Sequence, residues 1–247
     1  MSEINGWLPY CGSAPAPGEL VGRWNLDPGL LLALGCVAFL LVRQRDVGAR
    51  ERNLALAAMV LALALFVSPF CALTSALFSA RAVHHLFLTA VVPPLIVAAC
   101  PRLRSILGGA LPWMAAHAII FWFWHVPQFY SWALSNDPAY WLMQGTLLLS
   151  AVGLWSAVRE APVTTAIAAL LGTMVQMGLL GALLTFATEP LYAPHLIGPI
   201  AWGLSPLEDQ QLAGLIMWAP GAGIYLAAAL TLLARWFAQE RAAALAG

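Results

Sequence analysis

Histidine and methionine have the most chemistry to offer in this chain, because so many of them fall inside hydrophobic runs. His84 and His85 open one run, His117 and His125 lie on the next, and His195 sits in a Pro-rich connection further on. Met114, Met143, Met174, Met177 and Met217 also lie inside runs. Imidazole nitrogen with thioether sulfur is the donor set that suits Cu(I). The plain alternative is a neutral ring bonded to a nearby carbonyl or hydroxyl for each histidine, and gap-filling core for each methionine. Helix geometry narrows the combinations. His84 and His85 differ by about 100° around a helix, so only one leads into a shared site. His117 and His125 stand roughly 12 Å apart along the axis, too far to share an ion. A site has to join His85 with His125 from the neighbouring antiparallel helix, with Gln144 and Asp209 or Gln210 at a similar depth. Two axial histidines on facing helices can also clasp a haem iron.

A second polar intrusion is Glu208-Asp209-Gln210-Gln211, which opens a hydrophobic run. Met217 follows about two turns deeper, and Pro220-Gly221 loosens the helix behind it. Polar groups at such depth face a cavity, a partner or an ion. Of the cysteines at 11, 36, 71 and 100, Cys36 and Cys100 read as small buried hydrophobes. For Cys11 and Cys71 a disulfide, a metal thiolate and an idle thiol are all open. The sequence contains no Ser/His/Asp triad, paired catalytic carboxylates, phosphate loop, HExxH or CxxCH, so no enzyme is expected. Nearly acid-free run interiors argue against a carboxylate proton relay.

The elements that must position these groups are membrane helices. The 247 residues are 62% hydrophobic and 9% charged, with a mean hydropathy of +0.82. Soluble domains carry roughly 45–50% apolar and about 25% charged residues. Runs at 28–43, 53–71, 83–100, 107–131, 138–158, 162–187 and 209–236 match the ~20 residues that cross the hydrocarbon. The expected fold is all-α, a polytopic seven-transmembrane-helix bundle. Residues 1–27 form an outer N-terminal arm, 28–247 the membrane domain, and 188–207 an outer loop lying in the interface as a lid. Pro93-Pro94 should kink the third span near its middle.

All the basic residues apart from histidine are Arg. Arg43, Arg45, Arg50, Arg52, Arg102, Arg104, Arg159, Arg235 and Arg241 fall on one side, and Arg23 and Arg81 on the other. The positive-inside rule then puts the N-terminus outside and the C-terminus in the cytoplasm. The N-terminal arm shows no signal-peptide pattern. The absence of Lys excludes a retinal Schiff base, and a net charge of zero without a basic patch excludes nucleic acid.

Several strings together resemble the cytochrome c oxidase assembly factors of the CtaG family, seven-span proteins of bacterial inner membranes. They are Trp24-Asn25-Leu26-Asp27-Pro28, His84-His85-Leu86-Phe87-Leu88 with Pro93-Pro94-Leu95, and Trp124-His125-Val126-Pro127 with Tyr130. Pro190-Leu191-Tyr192-Ala193-Pro194, the long Gly203-Leu204-Ser205-Pro206-Leu207-Glu208-Asp209-Gln210-Gln211-Leu212-Ala213-Gly214 and Met217-Trp218 complete the set. The resemblance implies a part in maturing a haem–copper oxidase at the copper-insertion stage, with an oxidase subunit and a periplasmic copper donor as partners. The family's polar site maps onto His85, His125, Asp209, Gln210 and Met217. Where many members carry histidines, this chain has Arg81 and Gln144, which implies a leaner site. The leading expectation is a non-enzymatic factor that binds or passes Cu(I) from the periplasmic side. His85 and His125 would supply nitrogen, His84 standing beside them, and Met217 sulfur, with Cys11 or Cys71 as further sulfur donors. Asp209 and Gln210 would orient ligands or admit the ion. The alternatives are a haem-binding protein or haem-dependent oxidoreductase using the His pair, and a cofactor-free scaffold for oxidase subunits.

Overall fold

Proline and capping side chains decide where many of the helices begin and break. The structure, a computed structural model, describes residues 9–43, 48–101, 103 and 108–246. Among these the regular elements are all helical. They are α1 (Pro28–Arg43), α2 (Ala49–Phe66), α3 (Pro69–Ala76), α4 (Phe78–Ala99), α5 (Ala110–His125), α6 (Pro127–Ser135), α7 (Asp137–Glu160), α8 (Val163–Thr185) and α9 (Pro206–Leu245). Short 3₁₀ turns lie at Pro17–Gly22, Ala193–His195 and Gly198–Trp202. Ser68 caps α3 by accepting from the Phe70 N–H at 3.2 Å, and Asn136 caps α7 by accepting from Ala139 at 3.0 Å. Ser205 and Glu208 form a reciprocal capping box on α9, with Pro206 in the first turn. Each such bond satisfies an N–H that the helix leaves without an internal partner.

The chain is a helical membrane protein. α4, α7, α8 and α9 are each long and apolar enough to cross a bilayer, and α2 with α3, bent by 48°, makes a fifth crossing if the pair is one span. Apolar side chains face outward: Ile119 is 70% exposed, Leu149 68% and Val175 62%, as suits helices whose backbones are satisfied internally and whose surroundings are lipid. α1 and α5 have 16 residues each, fewer than the roughly 20 that span the hydrocarbon.

The structure departs from the sequence expectation mainly at prolines. The second expected span, 53–71, breaks after Phe66 because Ser68-Pro69 starts a new helix. The fourth, 107–131, is interrupted at Val126, which is extended ahead of Pro127, as a residue preceding proline prefers. α9 runs to Leu245, past the expected end at 236. Arg45, Arg102, Arg104, position 107 and the first eight residues of the arm lie outside the described residues.

Where the sequence predicts a kink, α4 widens into a π turn, Phe87–Val91, just ahead of Pro93-Pro94. Pro93 lacks the N–H that would bond the Thr89 carbonyl four residues back. That carbonyl accepts instead from Trp155 Nε1 at 3.1 Å and the Tyr225 hydroxyl at 3.5 Å. α9 has a matching π turn, Met217–Gly221, around Pro220. α8 and α9 touch backbone to backbone. A Cβ on Gly181 would stand 2.8 Å from the Gly214 carbonyl, and one on Gly214 would stand 2.6 Å from the Gly181 carbonyl. Small residues of this kind let membrane helices approach closely.

The N-terminal ends of α4, α7 and α9 lie together under a cap made from the arm and the loop after α8. Cys11 is joined to Cys71 by a disulfide, Asn25 donates to the Phe66 carbonyl at 3.0 Å, and Trp202 Nε1 donates to Pro15 at 3.0 Å.

Candidate functional site

His85 and His125 meet beneath this cap. His85 lies two turns into α4, just ahead of its π turn, and His125 is the last residue of α5. Their ring centroids are 5.7 Å apart. An imidazole nitrogen binds a metal at roughly 2.0–2.1 Å, so two rings on one ion have centroids about 5–6.5 Å apart. His125 Nδ1 is 2.7 Å from the Phe121 carbonyl. A carbonyl only accepts, so Nδ1 carries the proton and Nε2 presents a bare lone pair. Both ring nitrogens of His85 lack a hydrogen-bond partner, although the residue is buried. A buried imidazole left unbonded calls for an explanation, such as an ion.

Met177 and Met217 complete the surroundings. A space too small for a water-sized sphere is lined by Ala82, His85, Leu86, Phe121, His125, Met177 and Met217. Met217 opens the π turn of α9, and Met177 comes from α8. Gly221 leaves room for the Met177 thioether, since a Cβ there would stand 2.8 Å from its sulfur. Two neutral nitrogen donors and two thioethers with no carboxylate form a soft set suited to Cu(I) and poor for hard cations. Among the described residues, no group of three or more His, Cys, Asp or Glu side chains gathers as a metal site. Met177, one of the thioethers weighed as a Cu(I) donor but not chosen among the site residues, lies eight residues inside the end of α8 at Thr185, a depth that matching α8 to α9 would have given.

The other expected site residues stand elsewhere. His84 packs edge-on to Phe66, with centroids 4.9 Å apart, and does not line the cavity. Asp209 spends its carboxylate on the start of α4, accepting from the Phe78 N–H at 2.6 Å, the Ser79 N–H at 3.1 Å and the Ser79 hydroxyl. Gln210 accepts from the Leu191 N–H at 2.7 Å and donates to the Glu189 carbonyl at 3.3 Å, tying the outer loop to α9. Cys11 and Cys71 are bonded to each other, so in this state neither is a thiolate. The loop reaches the site from above: the Tyr192 hydroxyl donates to the His125 carbonyl at 2.8 Å.

One turn above His85, Arg81 is fully buried, and none of its guanidinium nitrogens makes a close hydrogen bond. Its charge lies 5.4 Å over the Tyr140 ring. The Tyr140 hydroxyl has both the guanidinium and the Gln144 side chain beside it. His195 in the loop is within 2.7 Å of the Tyr130 hydroxyl. Burial, then the nearby Arg81 charge, push its pKa down to about 3, which keeps the ring neutral at pH 7.

The family model for cytochrome c oxidase caa3 assembly factors matches residues 33–239 of the chain. Neither the curated proteins nor the solved structures contain a match.

Proposed function

The chain belongs to the family of caa3 cytochrome c oxidase assembly factors, and from that premise we propose that it is a non-enzymatic factor carrying Cu(I) as cargo between His85, His125, Met177 and Met217. The observation that carries this reading is the convergence of two unprotonated-nitrogen donors and two thioethers on one dry space. The client is a subunit of the oxidase, in the bacterial cytoplasmic membrane. In that setting α1, α2, α4, α5, α7, α8 and α9 make seven crossings. The arm and the loop after α8 face the periplasm, where a copper donor would dock, and the C-terminus faces the cytoplasm. The absence of room for a water between the two rings favours copper over haem, whose flat macrocycle would have to stand between them.

The roles of the chain's own groups follow from their bonds. The Phe121 carbonyl holds the His125 ring in the tautomer that offers Nε2. The π turn in α9 brings Met217 to the cavity, and the aromatic and aliphatic lining keeps out water, which would otherwise compete for the ion and allow its oxidation. Soft, neutral donors bind Cu(I) without fixing a net negative charge, so the ion can be passed on to a client site with stronger ligands.

Titrating the purified protein with Cu(I) against a chromophoric chelator tests this. We expect one tight site per chain, weakened at least about tenfold, the cost seen for losing even an outer-sphere partner, by His125→Ala and by Met177→Ala, with Met114→Ala unchanged. Wild-type affinity in both of the first two variants rules the site out. A Soret band in the purified protein would favour the haem reading, and intact oxidase assembly with His85 and His125 both changed to Ala would favour a cofactor-free scaffold.

A further inference from the structure

The geometry points to a binding site for a small monovalent inorganic anion of the halide class, built by Arg81 with Tyr140 and Gln144. Arg81 is 0% exposed, and its Nε, Nη1 and Nη2 make no close hydrogen bond, the Tyr130 and Tyr140 hydroxyl oxygens being the acceptors beside it. Guanidinium remains charged at any ordinary pH and carries five N–H donors. Burying such a charge without a counter-charge is strongly unfavourable. The cation–π contact with Tyr140 engages the guanidinium face only and offsets a fraction of that cost. Among the described residues no carboxylate supplies the balance: Asp209, the acid on the neighbouring helix, has its oxygens taken by the first N–H groups of α4 and by Ser79.

Some of the surrounding groups are also short of close hydrogen-bond partners. Neither polar atom of the Gln144 amide is bonded, though Gln144 is 2% exposed. The His84 ring, close enough to Arg81 for the charge to act on it, is fully buried. The hydroxyls of Tyr130 and Tyr140 flank the guanidinium. A buried guanidinium with the Gln144 amide N–H2 close by is complementary to an anion. Complete burial under the disulfide-tied arm and the loop sets its size. Arg81 is 0% exposed, so a carboxylate on another macromolecule cannot reach it, and the proposed occupant is a single small ion.

This site stands independently of the copper reading, and it bears on it. Arg81 lies one helical turn from His85 and acts on it electrostatically. A positive ion at His85 would be repelled by a bare guanidinium, and an anion on Arg81 removes that repulsion.

The test uses the full chain in detergent, with no copper added. Tm is measured as sodium bromide or sodium chloride replaces sodium gluconate at constant ionic strength. We expect a saturable rise in wild type, as for any ligand that binds only the folded state, and loss of that rise in Arg81→Gln. Gln144→Leu, which leaves the guanidinium in place, should shift the midpoint to higher halide and keeps the test informative if Arg81→Gln does not fold. Crystals soaked in bromide should show an anomalous peak beside Arg81. A flat halide response in wild type, a rise that persists in Arg81→Gln, or only ordered water beside the guanidinium in bromide-soaked crystals would each overturn the proposal. Because copper takes no part in these measurements, their failure leaves the Cu(I) titration untouched.

Discussion

At the scale of single residues, the same type of side chain serves different ends according to which of its atoms are already bonded. His125 gives one nitrogen to the Phe121 carbonyl and keeps the other free, whereas His117 gives Nδ1 to the Ser150 hydroxyl at 2.9 Å and lies on a different stretch of α5. Asp209 illustrates the rule most clearly. Its position at the mouth of a membrane helix makes it look like an ion entrance, yet its oxygens accept three hydrogen bonds from the start of α4. A helix N-terminus carries partial positive charge and unbonded N–H groups, which a carboxylate satisfies. Asp209→Asn puts an amide donor against those N–H groups, and losing charged, buried hydrogen bonds costs about 1–3 kcal/mol. We expect a lower Tm in detergent with Cu(I) affinity unchanged. A folded Asp209→Asn protein with weakened Cu(I) binding would return Asp209 to the ion's path.

At the scale of helices, the sequence showed where apolar runs lie but not how prolines would divide them. α1 is found where its hydrophobic run placed it, at 28–43. The second and fourth runs each break at a proline that composition averages over, and the cues were local: Ser68-Pro69 as cap and first turn, and Val126-Pro127 as an extended pair. The pairing of His85 with His125 was legible because helix periodicity and depth are set by chain geometry. Met177 was not, because a thioether looks the same as core filling until the neighbour on the next helix is known. The crossing of α8 and α9 is likewise invisible without both backbones. Gly181 and Gly178 are one turn apart on α8 and carry opposite expectations. A Cβ on Gly181 meets the Gly214 carbonyl at 2.8 Å, whereas one on Gly178 meets Trp218 at an ordinary 3.5 Å. Ala favours a helix over Gly by about 1 kcal/mol, and forcing atoms into a packed contact costs roughly 1–3 kcal/mol. Gly178→Ala should therefore keep or raise Tm, and Gly181→Ala should lower it and reduce Cu(I) affinity by shifting Met217 relative to Met177. Equal Tm values for the two variants would show that the helices do not cross at Gly181.

At the scale of the whole molecule, the arm, the start of α3 and the loop after α8 form one lid over two buried polar centres, the His–Met cavity and the Arg81 cluster. The Cys11–Cys71 bond is the covalent tie of that lid. It links residues 60 apart in sequence, and the Cys11 sulfur is 3.6 Å from the Tyr140 hydroxyl that borders Arg81. Closing a loop of that length removes chain entropy from the unfolded state worth about 4 kcal/mol in the entropic model, with 2–4 kcal/mol typical in practice. Reduction would therefore do two things at once. It would lower the stability of the whole chain, and it would free the arm from Tyr140, letting water reach groups now held dry. We expect a reductant to lower the Tm of wild type and to leave that of a Cys11→Ser, Cys71→Ser double variant unchanged at its lower value. Hydrogen exchange at the start of α7 should rise in the variant, while exchange in the middle of α8, which the lid does not touch, should stay as in wild type. Mass spectrometry of the oxidised, alkylated protein should find two modified thiols, at Cys36 and Cys100. Four modified thiols, or a wild-type Tm that ignores reductant, would mean that the lid is held by its hydrogen bonds alone.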